Sequence, residues 1–133
     1  MGPFDWDLMA TTANVNKTPE GTPLPFFSRY FDVNSAGVNV FSQSLEAACS
    51  PFCFPPEPVI SMVLKLLKAQ RKSGVILVPG INAIWVNTLK QYAVETLVVA
   101  KAFDNRAFTI THPTGKRVPK LFYHPMIAVK LVF

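Results

Sequence analysis

The stretch P-F-C-F-P-P-E-P-V-I-S-M-V-L-K-L-L-K-A-Q-R-K-S-G-V-I-L-V-P, residues 51–79, decides how the chain folds. Phe52-Cys53-Phe54 reads as a short apolar strand, which Pro55-Pro56 must end because neither proline can donate to a sheet ladder. Glu57-Pro58 opens a helix: proline suits the first helical position, and the glutamate complements the positive end of the helix dipole. Val59, Ile60, Val63, Leu64 and Leu67 then recur at helical spacing, with Lys65, Lys68 and Lys72 on the far side. Ser73-Gly74 is the expected stop, and Val75 to Val78 is a continuous apolar strand closed by Pro79-Gly80.

Working outward, Ala83–Tyr92 reads as a second amphipathic helix, Glu95–Ala100 as a strand, Phe108–Thr111 as another, and Met126–Phe133 as a long terminal one. On the amino-terminal side, Phe4–Ala10 is a short strand in which Phe4, Trp6 and Leu8 alternate with Asp5 and Asp7. Thr11–Pro25 is rich in Thr, Asn, Pro and Gly and reads as a long loop. Phe26–Phe31 is a strand or an aromatic-anchored turn, and Val38–Leu45 lies between strand and helical turn. Apolar strands alternating with helices give an α/β fold. Its mostly parallel sheet is covered on both faces, and an antiparallel ending is joined through Thr114-Gly115-Lys116-Arg117.

The 133 residues are enough for one packed core, so the expectation is a single domain, 1–133, excised from a larger protein. Apolar residues make up 50% and charged residues 16%, which excludes a disordered tail or a solvated coiled coil. The net charge of +5 is unevenly spread: residues 1–56 carry 2 − 5 = −3 and residues 57–133 carry 11 − 3 = +8. A basic second half fits a polyanion such as nucleic acid, or simply a solvated basic surface. Lys116, Arg117 and Lys120, followed by Phe122, Tyr123 and His124, either set cations for phosphates beside rings for stacking or form a basic hairpin loop followed by a core aromatic strand.

Cys49 and Cys53 are too few for a disulfide framework, and with only His112 and His124 they make no zinc site, so both are expected as buried free thiols. No metal is expected. A two-metal nuclease cluster drawn from Asp5, Asp7, Glu46, Glu57 and Asp104 is the weaker alternative. Ser28, Ser42 and Ser44 lack a histidine base, and no phosphate-loop pattern occurs. The start lacks the basic residues of a signal peptide, and Ser73–Leu89 is interrupted by Pro79, Gly80, Asn82 and Asn87, so no membrane partner and an intracellular location, nuclear or cytoplasmic, are expected.

In open α/β sheets ligands sit at the carboxyl ends of parallel strands. Three segments take that place: Asp7-Leu8-Met9-Ala10, Phe54-Pro55-Pro56-Glu57 and Val78-Pro79-Gly80, all able to rim one crevice.

Five segments in this order, D-L-M-A-T-T-A-N (7–14), P-F-F-S-R-Y (25–30), N-V-F-S-Q (39–43), P-F-C-F-P-P (51–56) and V-I-L-V-P (75–79), together resemble a Dam-like adenine methyltransferase domain, found in phages and, in degenerate form, in DIRS-like retroelement polyproteins. The resemblance runs over nearly the whole chain and implies a Rossmann-like, methyltransferase-type sheet. It places S-adenosylmethionine against Asp5, Asp7, Met9, Ala10 and Asn14. The alternative for Asp5 and Asp7 is that they solvate the outer side of an edge strand.

The resemblance also implies that Phe54-Pro55-Pro56-Glu57 stands where active members carry Asn or Asp, two prolines and an aromatic ring. Phe54 offers no acceptor to an adenine amino group and Glu57 no face for stacking, while flipping a base costs a few kcal/mol that such contacts must offset. The expected function is therefore binding without catalysis and with no cofactor, to nucleic acid or to neighbouring polyprotein domains and copies of itself. A surviving S-adenosylmethionine-dependent DNA methyltransferase is the alternative.

Overall fold

The computed structural model describes residues 2–102, 109–111, 116–119 and 123–133, with only the backbone considered at 109–111 and 117–119. Five strands form the central sheet: β1 (Trp6–Asp7), β4 (Pro51–Cys53), β5 (Gly74–Pro79), β6 (Ala93–Ala100) and β9 (Met126–Leu131), in the order β1-β4-β5-β9-β6. β1, β4 and β5 pair in parallel, whereas β9 runs antiparallel to both β5 and β6. Four strands therefore share one direction and a single reversed strand lies between two of them. Two small pairs accompany the sheet: β2 (Phe27–Ser28) parallel to β3 (Gly37–Val38), and β7 (Thr109–Thr111) antiparallel to β8 (Arg117–Pro119).

The chain is a small mixed α/β domain with two helices, α1 (Ile60–Ala69) and α2 (Val86–Tyr92), among the described residues. Ile60, Val63, Leu64 and Leu67 of α1 form one buried stripe, and Leu89 of α2 joins the same core as Ile76, Val78, Val129 and Leu131. The opposite face carries Val75, Leu77, Ala100, Met126 and Ala128, packed by Phe4, Phe52 and Phe54. Both helices thus seat on one face, and among the described residues the second face is packed by phenylalanines, so the expected cover of both faces comes from helices on one side only. β6 is corrected. It continues the parallel direction, but it stands at the sheet edge with Val94 to Val99 exposed. Its exposed residues alternate between the two faces, so neither the helix-side core nor the phenylalanine-packed cluster takes them in.

Local chemistry explains several shifted boundaries. Glu57–Val59 forms a 3₁₀ turn before α1, and Val40–Ser42 forms another after β3. β1 contracts to two residues because the chain leaves β4 after Leu8: the Leu8 amide still donates to the Phe52 carbonyl of β4, whereas the Ala10 amide donates to Phe27. The loop expected over Thr11–Pro25 is packed around its own cluster of Ala10, Val15, Leu24 and Phe26. α1 ends earlier than Ser73-Gly74. Arg71 takes φ 52°, and the amides of Arg71 and Lys72 donate back to Lys68 and Leu67, closing a Schellman turn with arginine where glycine is usual.

Gly74 instead serves the β4–β5 contact: a Cβ there would lie 2.5 Å from the Pro51 carbonyl oxygen and 2.9 Å from its ring. Side-chain bonds then tie α1 to the preceding loop. Gln70 accepts from the Leu45 amide (2.7 Å) and donates to the Gln43 carbonyl (3.1 Å). Lys72, expected on a solvated face, donates to the carbonyls of Glu46 and Ala48.

Substitutions at these two turns should act in opposite directions. Gly74→Ala should destabilise by about 1–3 kcal/mol because the backbone of β4 must retreat. Arg71→Gly should stabilise by roughly 0.5–1 kcal/mol by relieving left-handed strain. Denaturant midpoints measure both.

Candidate functional site

A cleft of about 690 Å³ opens where the carboxyl ends of β1 and β4 meet the loops around β2 and β3. One wall is Leu8 to Thr11 with Asn14; a second is Phe27 to Tyr30 and Asn39 to Phe41; the third is Phe54, Pro56, Pro58 and Val59. Segments 7–14, 25–30, 39–43 and 51–56 all converge here. The remaining one of the series, 75–79 on β5, does not, and Val78-Pro79-Gly80 stands outside the lining.

Each nominated residue has a definite place. Met9, Ala10 and Asn14 line the cleft with Phe54 and Pro56. Pro55 is buried behind them, and Glu57 is exposed at the head of the 3₁₀ turn. Asp5 does not reach the cleft: its two oxygens accept from the amides of Cys49 (2.7 Å) and Ser50 (2.8 Å), at the entry to β4.

Asp7 is only 2% exposed and lies outside the lining, so it does not solvate an edge either. Its Oδ2 accepts from the Asn16 amide and Nδ2, both at 3.0 Å, while Oδ1 is buried with no hydrogen-bond partner among the described residues. Burial raises the Asp7 carboxyl above its ordinary value, and the Asn16 bonds offset only part of that. The Cys53 thiol, buried beside it, is pushed up by burial and then by the Asp7 charge.

The cleft is predominantly apolar and aromatic, with Phe27, Tyr30, Phe41 and Phe54 in its walls. Its polar groups are largely committed to shaping it. The Asn14 side chain accepts from the Thr11 amide (2.7 Å), and the Ser28 hydroxyl donates to the Tyr30 carbonyl (2.6 Å). Asn39 sits at φ 62°, an uncommon conformation that asparagine tolerates, and accepts from the Phe41 amide. Among the described residues Arg29 is the one charged side chain in the lining, stacked 5.2 Å from the Tyr30 ring centre.

The rim is held across 20 residues of sequence by Asp32, which accepts from the Thr12 amide (2.9 Å) and hydroxyl (2.6 Å). Those bonds, led by the Thr12 hydroxyl, hold its carboxyl below the ordinary value. Asn34 completes the clamp by donating to the Thr12 hydroxyl (3.1 Å).

A pocket of this size and lining can hold a flat, largely apolar ligand with one anionic group near Arg29. Among the described residues, no carboxylate, imidazole or amine lines it to move a proton, and no three of His, Cys, Asp and Glu gather as metal ligands. The nuclease cluster is therefore not assembled from Asp5, Asp7, Glu46 and Glu57; Asp104 lies outside the described residues. Cys49 is free but exposed, against the expectation of burial, and Cys53 is free and buried. Of the basic cluster, Lys116 is exposed, Arg117 is described only as backbone in β8, and Lys120 lies outside the described residues.

Sequence reasoning missed Arg29, Tyr30, Asn39 and Phe41 as lining groups. Their signal is that both segments, 25–30 and 39–43, belong to the ordered series, although neither follows a strand end expected to rim the crevice. The Asp32–Thr12 clamp carried no such signal. No family model matches the chain, and no curated protein matches it.

Because burial raises Asp7, the folded chain holds a proton more tightly than the unfolded chain, whose value is near 3.8. Stability from this group is fullest below that value and declines as pH rises through the raised one. Asp7→Asn should abolish that decline while leaving an amide oxygen for Asn16; unfolding free energies at pH 3, 5 and 7 test it, and an unchanged slope would contradict the assignment.

Proposed function

We propose that the chain is a Rossmann-like, methyltransferase-type module of retroelement kind that binds nucleic acid through the cleft and does not transfer a methyl group. The observation that carries this reading is the cleft's lining: four aromatic rings and a single arginine around a strand-end Pro-Pro turn, with Phe54 in place of a polar acceptor. Aromatic faces stack on any base, and an arginine answers a phosphate. Tyr30 and the adjacent Phe31, 71% and 87% exposed, extend the stacking surface beyond the cleft mouth. A sheet that is parallel but for the one reversed strand β9 is compatible with a doubly wound, methyltransferase-type reading.

One observation favours a second reading. Met9, Ala10 and Asn14 face Phe54 and Pro56 across one open crevice, as an S-adenosylmethionine site requires. Ligand binding separates the two.

Single-stranded oligonucleotide should bind with strong salt dependence. Arg29→Ala with Tyr30→Ala should weaken binding by tenfold or more, since stacking contributes about 1–3 kcal/mol per base. Replacing Lys116, Arg117 and Lys120 by alanine should flatten the salt slope by roughly 0.7–0.9 for each phosphate no longer neutralised. S-adenosylmethionine should leave the unfolding temperature unchanged. A rise of several degrees, which about 2.7 kcal/mol at 100 times the dissociation constant produces, would establish the second reading instead.

A further inference from the structure

The central sheet has two edges, and they differ. At β1 the outer side is occupied: the Asp7 amide donates to the Pro25 carbonyl, Asp7 bridges Phe26 in parallel, and the Ala10 amide donates to Phe27. At β6 the outer side has no strand beside it among the described residues. β6 is also the longest described strand, eight residues, and Val94, Leu97 and Val98 are 62%, 55% and 58% exposed. Alternate residues of an edge strand aim unpaired amides and carbonyls outward, a template for another strand. Proteins usually blunt such an edge with proline or lysine; β6 contains neither, and Glu95 is its one charge. Two bulges, near Val94 and Val99, add twist but leave the run from Glu95 to Val98 regular.

We infer that β6 is an interaction surface for a second copy of this chain, the two β6 strands pairing antiparallel about a twofold axis to make one ten-stranded sheet. Two features of the sheet select this occupant. First, with the β1 edge closed, a head-to-tail stack of sheets is unavailable, so the contact must be self-complementary and closed. Second, the charges agree: Glu95 lies at the start of β6 and Lys101 follows its end, both exposed. Antiparallel pairing sets Glu95 of each copy toward Lys101 of the other, whereas parallel pairing sets like against like. The exposed Val and Leu side chains then meet their counterparts on both faces. The β6 edge stands apart from the cleft, which lies at the carboxyl ends of β1 and β4, and its pairing holds whether or not nucleic acid binds there.

The test is the oligomeric state of the full chain by sedimentation velocity between about 1 and 200 µM, without oligonucleotide. A concentration-dependent dimer is expected. Val98→Lys should shift the dissociation constant at least tenfold toward monomer while leaving the unfolding temperature of the monomer unchanged, because Val98 is exposed. Lys101→Glu should weaken the dimer several-fold, and Glu95→Lys added to it should restore affinity. A monomer at every concentration overturns the inference, as does a dimer indifferent to Val98→Lys. Open-ended assembly overturns the closed pairing, and failure of the charge swap to restore affinity overturns the antiparallel arrangement.

Discussion

The organisation of this domain depends on how β1 is gripped from both sides. Its residues face Pro51 and Phe52 on one flank and the 25–28 segment on the other, and below the cleft the Asp7 carboxylate holds Asn16 through two bonds. A carboxylate so buried, with one oxygen unpartnered among the described residues, is costly in isolation. What it secures is long-range order: the loop carrying Thr11 and Asn14 cannot leave β1 without stripping that carboxylate of its partners. Asp5 does the corresponding work at the other end by ordering the turn that enters β4. Two acids that the family resemblance places against a cofactor thus accept from backbone amides and, at Asp7, from the Asn16 side chain as well.

The parts legible in the sequence were those governed by local rules. The apolar stripe of α1, the all-apolar β5 and the stop at Pro55-Pro56 each depend on neighbours within a few residues, and each sits within a few residues of its expected place. The rule that ligands gather at strand carboxyl ends located two walls of the cleft. What stayed hidden depends on distant partners. Nothing near Met126 announces that β9 will slip between β5 and β6. Nothing near Asp32 announces Thr12, and Gln70 and Lys72 read as solvated polar residues until the 43–48 loop folds against them. The strand at Ala93–Ala100 is the instructive case: an apolar run looks the same whether helices bury it or it stands uncovered at an edge.

Phe54 shows how one position can couple packing with chemistry. It belongs to the phenylalanine layer on the face opposite α1 and α2, beside Phe52, and it also forms a wall of the cleft. A polar side chain there would serve hydrogen bonding in the cleft at the expense of that layer. The ring does the reverse, and the aromatic character of the site and the packing of the second face are therefore the same fact seen from two sides.

The chain's two tryptophans pack against the same core cluster but at different depths and with different neighbours. Trp6 stacks 4.9 Å from Phe27, a wall of the cleft, while Trp85 is buried in the core at the amino-terminal cap of α2. The indole emission of the molecule is therefore two reporters in one spectrum. A half-buried fluorophore senses occupancy at the strand ends, and a buried one senses the integrity of the helix layer, so that removing either by substitution leaves an optical readout of the other region alone.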